Sequence, residues 1–362
     1  MALSKTATFD SLNPVTNEVI ASHEIYSEEA VKAAVDRARA ASLEWRDLGF
    51  RGRRRVLLKW SSDLLANIDS LTELVSLETG KPVSDAKLEA SLAAGHIAWA
   101  ARHAESVMRT SHRSPGLLMA NMSATVERSP VGVVGVIGPW NYPVFTPLGS
   151  IAYALAAGNT VVFKPSEYTP GVGHYLAQSF LDSCMLADIF TCITGLGETG
   201  KFLCESGVDK LAFTGSTRTA KIVAATCASH MTPVVLECGG KDPVIVAHDA
   251  DLKRAADATV WSAFSNAGQT CIGAERVYVD ERVADEFIEK VLEIAKDIHP
   301  GAPGSGKYGP TTTPKQIPII QSHIDDAIAR GAKVLMGGSH SVKAPFVEPV
   351  ILCDVPEDSI AI

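Results

Sequence analysis

Five short stretches of this sequence gather side chains able to do chemistry: PWNYP with Trp140 and Asn141, KPSEYTP with Lys164, Ser166 and Glu167, FTGST with Gly215 and Ser216, LECGGK with Glu237, and NAGQTC ending in Cys271. A cysteine can act as a thiolate nucleophile, or it can be one more small buried hydrophobe. FTGST closes a β-rich run and opens a helical one. Gly215 and Ser216 therefore suit a phosphate, met by free N–H groups at a helix start, as well as they suit an ordinary N-cap. Asn141 could equally shape a Pro-bounded turn, Glu237 could pair with Lys241, and Lys164 could be a surface lysine.

These stretches need elements to bring them together. Regular alternation begins at Val131. The β-rich runs at 131–138, 159–166, 188–195, 210–216 and 233–239 are separated by helical patterns at 148–157, 169–184, 198–206 and 217–230. Val- and Ile-rich strands separated by single helices predict βαβ units and a parallel sheet, with a doubly wound nucleotide-binding domain as the leading architecture. With all strands parallel, Asn141, Lys164, Gly215 and Glu237 share one sheet edge, outside the carboxyl ends of the strands. No G-x-G-x-x-G follows the first strand, so the usual dinucleotide fingerprint is absent.

The first 110 residues read as helical, with a helix opened by Ser27, Glu28 and Glu29 and further patterns at 52–69 and 84–108. Residues 111–128 read as a polar excursion with a short hairpin. A second alternating set starts after Gly240: DPVIVAH, a helix from Asp251, RVYVD, a helix at 281–298, KVLMGG and FVEPVILCDV. The expected division of the chain is 1–110 with 129–239, the excursion 111–128, and 240–362.

A net charge of −8 offers no basic face to a nucleic acid, and the cluster at Arg51–Arg55 reads as the solvated side of a helix. Seven cysteines, an odd number without C-x-x-C spacing, exclude a complete disulfide framework and argue against a metal site. No segment has 18 uninterrupted apolar residues and the N-terminus has no apolar core, so no membrane partner is expected. Free thiols suit a reducing cytoplasm.

Taken in order, VGVIGPWNYP, KPSEYTP, FTGST, LECGGK and NAGQTC resemble the aldehyde dehydrogenase superfamily, along essentially the whole chain. The resemblance implies a Rossmann-type cofactor domain over 1–110 and 129–239, an oligomerisation arm over 111–128, and a second, incomplete α/β catalytic domain over 240–362. It makes Cys271 the nucleophile that attacks an aldehyde to form a hemithioacetal and then a thioester. It makes the Asn141 amide and the Cys271 backbone N–H the oxyanion donors. Glu237 becomes the base for the water that releases a carboxylic acid. It also implies that Ile137, Trp140, Asn141, Lys164, Ser166, Glu167, Gly195, Gly215, Ser216 and Glu237 line the dinucleotide. A carboxylate suits a free 2′-hydroxyl, so Glu167 favours NAD, with NADP left open by Lys164.

Two residues depart from the family pattern. Ala220 stands where many relatives have glycine, and Cys238 replaces a leucine. The sequence stops at Ile362, ahead of the family's E-x-F-G-P motif, so a truncated or fragmentary member with slow turnover is expected. The alternatives are a relative that passes the acyl group to coenzyme A and a silent paralogue serving as a binding protein. Substrate contacts are expected near Tyr142, Gly149, Thr270 and Ile272. No arginine next to these contacts points to a dicarboxylic semialdehyde, and Gly149 favours a roomy, apolar aldehyde. A homo-oligomer is expected of the full-length enzyme.

Overall fold

Val- and Ile-rich strands can bury both faces of a sheet only if the chain winds helices back over it. The computed structural model, which describes residues 7–362, has that arrangement. Ahead of it, β1 (Thr8–Leu12) and β2 (Val19–Glu24) pair as a small sheet. Four helices follow: α1 (Glu28–Asp47), α2 (Gly49–Ala66), α3 (Ile68–Thr79) and α4 (Val83–Met108). The cap anticipated at Ser27 forms, its hydroxyl accepting the Ala30 N–H at 3.3 Å. The helical pattern expected over 52–69 is α2, which ends at Asn67, whose side chain donates to the Asp63 carbonyl; α3 lies almost wholly beyond that pattern. The excursion is a hairpin of β3 (Ser111–Arg113) and β4 (Ala124–Val126), paired antiparallel.

The main sheet contains β5 (Val133–Ile137), β6 (Thr160–Lys164), β7 (Phe190–Cys192), β8 (Lys210–Gly215) and β9 (Val234–Cys238), in the spatial order β7-β6-β5-β8-β9. Between them run α5 (Phe145–Ala157), α6 (Pro170–Cys184), α7 (Gly197–Glu205) and α8 (Thr217–Ser229). β5 pairs parallel with both β6 and β8, in the registers Val133↔Thr160 and Val134↔Lys210. Every residue of β6 is buried, as a strand covered on both faces must be. The chain leaves β5 towards β6 and β7, then returns to β8 on the other side. The order therefore reverses between β5 and β8, and such a reversal opens a crevice at the carboxyl ends of the strands.

The chain divides into two compact units: residues 7–10, 22–71 and 87–237, and residues 11–21, 72–86 and 238–362. In the first, Trp60 is fully buried, with its ring 5.1 Å from Phe180 and 5.9 Å from Phe190 and its indole N–H donating to Ser179 Oγ at 2.9 Å. The second contains β10 (Pro243–Val246), α9 (Leu252–Phe264), β11 (Arg276–Val279), α10 (Ala284–Ala295), α11 (Gln316–Ala329), β12 (Lys333–Met336), β13 (Val342–Lys343), β14 (Phe346–Val347) and β15 (Ile351–Cys353). β10 and β11 pair parallel, β12 and β15 antiparallel, and Val246, Ala256, Val260, Phe287 and Val291 form a core beneath them. Ile245 and Trp261 of this unit are exposed.

The linear partition expected from the sequence is corrected in one respect. Residues 11–21 and 72–86 pack with the second unit, not with the helices around them in the chain. Thr312 Oγ1 donates to the Thr79 carbonyl at 2.9 Å, and Gly80, at φ +75°, lies so close to Pro310 that a Cβ would stand 2.4 Å from its ring. Periodicity identifies a helix but does not say which core it joins. Helix α11 and the β13–β14 pair also lie outside the sequence reading.

Trp60→Ala should destabilise the first unit by about 3–5 kcal/mol, because it empties the centre of a ring cluster that cannot collapse onto itself. Chemical denaturation followed by circular dichroism checks it, and a loss below about 1 kcal/mol would contradict the packing described.

Candidate functional site

Polar residues collect where the strands end. Past β5 the chain reads Gly138-Pro139-Trp140-Asn141-Tyr142-Pro143, and its first N–H, on Gly138, donates to the Lys164 carbonyl at 3.0 Å. The two prolines limit the bend between them. The Asn141 Oδ1 accepts the Tyr142 N–H at 3.1 Å, which fixes the carbonyl end of that amide and makes its NH2 end the donor side. Ile137, Trp140 and Asn141 are all half-buried.

After β6, Lys164 is 4% exposed, and its Nζ donates to the Pro165 carbonyl at 2.9 Å. Burial pushes its ammonium below the usual lysine range, and the nearby Glu167 carboxylate opposes that shift. Ser166 Oγ donates to Glu167 Oε2 at 3.3 Å and accepts the Tyr168 N–H at 3.3 Å, so Lys164, Ser166 and Glu167 form one ordered turn. After β7, Gly195 sits at φ +148°, and a Cβ there would meet Thr199 Oγ1 at 2.0 Å, so no side chain fits. After β8, the Ser216 hydroxyl accepts the Thr219 N–H at 3.3 Å and caps α8, whose first turn has no acid. The first N–H groups of that 13-residue helix are outside its own ladder and, with no carboxylate beside them, suit a phosphate. Glu237 stands one residue before the end of β9, the strand next to β8, and is exposed. The first unit thus brings Ile137, Trp140, Asn141, Lys164, Ser166, Glu167, Gly195, Gly215, Ser216 and Glu237 to its strand ends. A buried lysine with a carboxylate for ribose hydroxyls and an acid-free helix start for a pyrophosphate form a donor set that fits a dinucleotide.

Cys271 lies in the second unit and is exposed, whereas Cys192, Cys204 and Cys227 are buried. Its exposure excludes the reading of a buried small hydrophobe. The helix expected before it ends at Phe264. A 3-10 turn follows, in which Asn266 (φ 54°) and Ala267 (φ 59°) take left-handed conformations. Gln269 holds this turn: its Nε2 donates to the Asn266 carbonyl at 2.9 Å and to the Pro310 carbonyl at 3.2 Å, and its Oε1 accepts the Thr312 N–H at 2.9 Å. On the other side of Cys271, the Ala274 N–H donates to Ser262 Oγ at 3.0 Å. Lys241 stands 4.0 Å from Glu275, and Arg276 donates twice to the Lys241 carbonyl. That fastens the segment after β9 to the strand after Cys271. The ion pair considered for Glu237 is therefore made by Lys241 with Glu275.

Two residues that shape these loops escaped the sequence reading. Gln269 lies inside the NAGQTC motif, and its position there was the available signal. Glu89 of α4 accepts the Val144 and Phe145 N–H groups at 2.8 and 3.1 Å, and nothing in its local sequence marks it.

Comparisons with known proteins agree with the fold. Residues 2–362 match the protein family described as "Aldehyde dehydrogenase family". The chain is 36% identical to the succinate-semialdehyde dehydrogenase (NADP(+)) GabD of Escherichia coli strain K12 over 97% of its own length and 73% of that protein's. It is 35% identical to the 4,4'-diapolycopene aldehyde oxidase of a Methylomonas species, over 96% of this chain and 66% of the relative. It therefore spans about two thirds to three quarters of the length of these relatives. A solved structure of an E. coli NADP-dependent enzyme superposes with a TM-score of 0.93 at 35% identity, covering 98% of this chain and 74% of that one.

Thiol labelling of the native chain should be fastest at Cys271, and Cys271→Ser should remove the fast phase. Cys204, whose thiol burial pushes up to about 12, should stay unlabelled until the chain unfolds. Stoichiometric labelling with 5,5′-dithiobis(2-nitrobenzoate), followed by mass spectrometry, reads both.

Proposed function

Because the chain belongs to the aldehyde dehydrogenase family, we propose that it oxidises an aldehyde to a carboxylic acid with a nicotinamide dinucleotide, the Cys271 thiolate carrying the acyl group. The observation that carries this reading is the exposure of Cys271 at the head of a turn that Gln269 clamps from both ends of its amide. In this reading the first unit takes the dinucleotide and the second carries the nucleophile.

The chemistry then follows from the residues. Cys271 adds through Sγ to the aldehyde carbon, and the oxygen becomes an oxyanion. The amide NH2 of Asn141 and the Cys271 backbone N–H donate to that oxygen, each such donor supplying about 3 kcal/mol in a site with little water. The bound nicotinamide supplies the acceptor for the hydride. Glu237 takes a proton from the water that attacks the resulting Cys271 thioester, and the carboxylic acid leaves as the thiol is restored. Lys164 and Glu167 hold the adenine ribose, with Ser166 tying the carboxylate in place, and the start of α8 at Ser216 takes the pyrophosphate. A carboxylate at 167 favours NAD over NADP. The exposed Leu117 and Leu118 at the tip of the β3–β4 hairpin support self-association. No helix among the described residues is long and apolar enough to cross a membrane.

The tail of the substrate is read from α4 and α5. Phe145, Gly149 and Tyr153 recur every four residues on one face of α5, leading away from the Asn141 loop. A Cβ at Gly149 would meet nothing within 4 Å. His96 of α4 lies 4.7 Å from the Phe145 ring and bonds the Tyr153 hydroxyl at 3.0 Å, and Trp99 lies 5.8 Å from Tyr153. Burial pushes the His96 imidazole below its usual range and keeps it neutral at pH 7. Uncharged rings around an open glycine suit an apolar, unsaturated tail. A terminal carboxylate, such as that of the semialdehyde in GabD's name, would need a cation. The polyene aldehyde in the Methylomonas relative's name belongs to the favoured class.

An NADH-formation assay tests both levels. Cys271→Ala should lower turnover by at least about 10³-fold, while Glu237→Gln should permit about one rapid turnover and then stall at deacylation. Parent-like turnover in Cys271→Ala would end the mechanism. Gly149→Trp should cut kcat/KM for cinnamaldehyde at least about tenfold and spare acetaldehyde, whereas a parent that prefers succinate semialdehyde would refute the tail assignment.

A further inference from the structure

Helix α5 begins four residues after Asn141, and its start lacks the usual support. Val144 occupies the cap position, makes no side-chain cap hydrogen bond, and is fully buried, and no acid lies in the first turn. A polar cap residue at 144 would have to sit in that apolar setting. The missing acceptor comes instead from another helix. Glu89 of α4 is 2% exposed, and one of its carboxylate oxygens accepts both the Val144 and the Phe145 N–H, at 2.8 and 3.1 Å.

The hydrogen bonds continue from there towards the loop. The Thr146 N–H donates to the Tyr142 carbonyl at 3.3 Å, and the Tyr142 N–H donates to Asn141 Oδ1 at 3.1 Å. Pro143, between them, has a fixed φ. A displacement at the first turn of α5 is thus passed to the Asn141 amide with little slack. A charged acceptor makes the stronger hydrogen bond, and a buried negative charge at a helix start is further stabilised by the helix dipole.

We infer that Glu89 is a positioning residue for Asn141: its buried carboxylate pins the first turn of α5 and so sets where the Asn141 amide points. The inference rests on the oxyanion role read for Asn141 above. Glu89 touches no reacting atom, and its effect on rate runs only through that amide. Dinucleotide contacts at the ends of β6 and β8 do not depend on it.

A double-mutant cycle tests it on the full chain, with aldehyde-dependent NADH formation as the rate. Asn141→Ala should lower kcat about 100-fold, the cost of losing one oxyanion donor. Glu89→Ala should lower kcat about tenfold or more with the KM for NAD within about twofold, because a small misplacement near the chemistry is costly. Glu89→Gln, which keeps a carbonyl acceptor, should restore kcat to within about threefold of the parent. In the Asn141→Ala background, Glu89→Ala should change kcat by less than about twofold. If Glu89→Ala does not fold by circular dichroism, Glu89→Asp, too short to reach both N–H groups, replaces it with the same expectations.

Multiplicative losses in the double variant, or no rescue by glutamine, would overturn the positioning role and leave the functional reading intact. A parent chain without turnover, or an Asn141→Ala variant as fast as the parent, would overturn the functional reading and this inference with it.

Discussion

A sheet covered on both faces has no room for polar side chains except where its strands stop. That constraint organises the first unit. β6 is buried along its whole length and β5 nearly so, and their chemically capable residues stand at or past the strand ends, Asn141 beyond β5, Lys164 as the last residue of β6, and Ser166 and Glu167 beyond it. The reversal of strand order between β5 and β8 separates two helix starts, those of α5 and α8, and leaves a crevice at one edge of the sheet. The cost of burying charge even at that edge is visible in Lys164, whose ammonium is pushed down by its surroundings even with Glu167 nearby.

Charge at the two helix starts is arranged in opposite ways. At α8 the cap is a neutral hydroxyl from Ser216 with no acid in the first turn, which leaves the positive end of the helix for an anionic ligand. At α5 the positive end is already matched by the Glu89 carboxylate, which holds the backbone that carries Asn141. One start is therefore suited to receive a phosphate and the other to be rigid. In the second unit the same need for rigidity is met without charge. Gln269 uses both ends of its amide to brace a turn with two left-handed residues, and the Cys271 thiol stays outside.

The parts of this protein that read well from sequence are those governed by local pattern. The five strands of the main sheet and their helices lie within a few residues of where the alternation of Val- and Ile-rich runs with helical stretches puts them, and the cap at Ser27 and the helix from Asp251 form. The placement of the candidate residues of the first unit was legible for the same reason, since each stands at or just past the end of a strand. Local pattern failed where a neighbour from far along the chain decides the outcome. Residues 72–86 hold most of α3 and the start of α4 yet group with the second unit, where Pro310 and Thr312 meet them. Gln269 and Glu89 act on backbone groups 43 and 55 residues away.

The sequence by itself determined the order of the elements, the parallel sheet and the residue types at its strand ends, because hydrophobic period and turn chemistry are properties of neighbouring residues. Tertiary structure alone decided which of seven cysteines faces solvent, which helix lends its carboxylate to the start of α5, and to which unit residues 72–86 belong. Those outcomes depend on burial and on hydrogen bonds between groups far apart in the chain, and such pairings exist only once the chain has closed its loops and excluded water from between them.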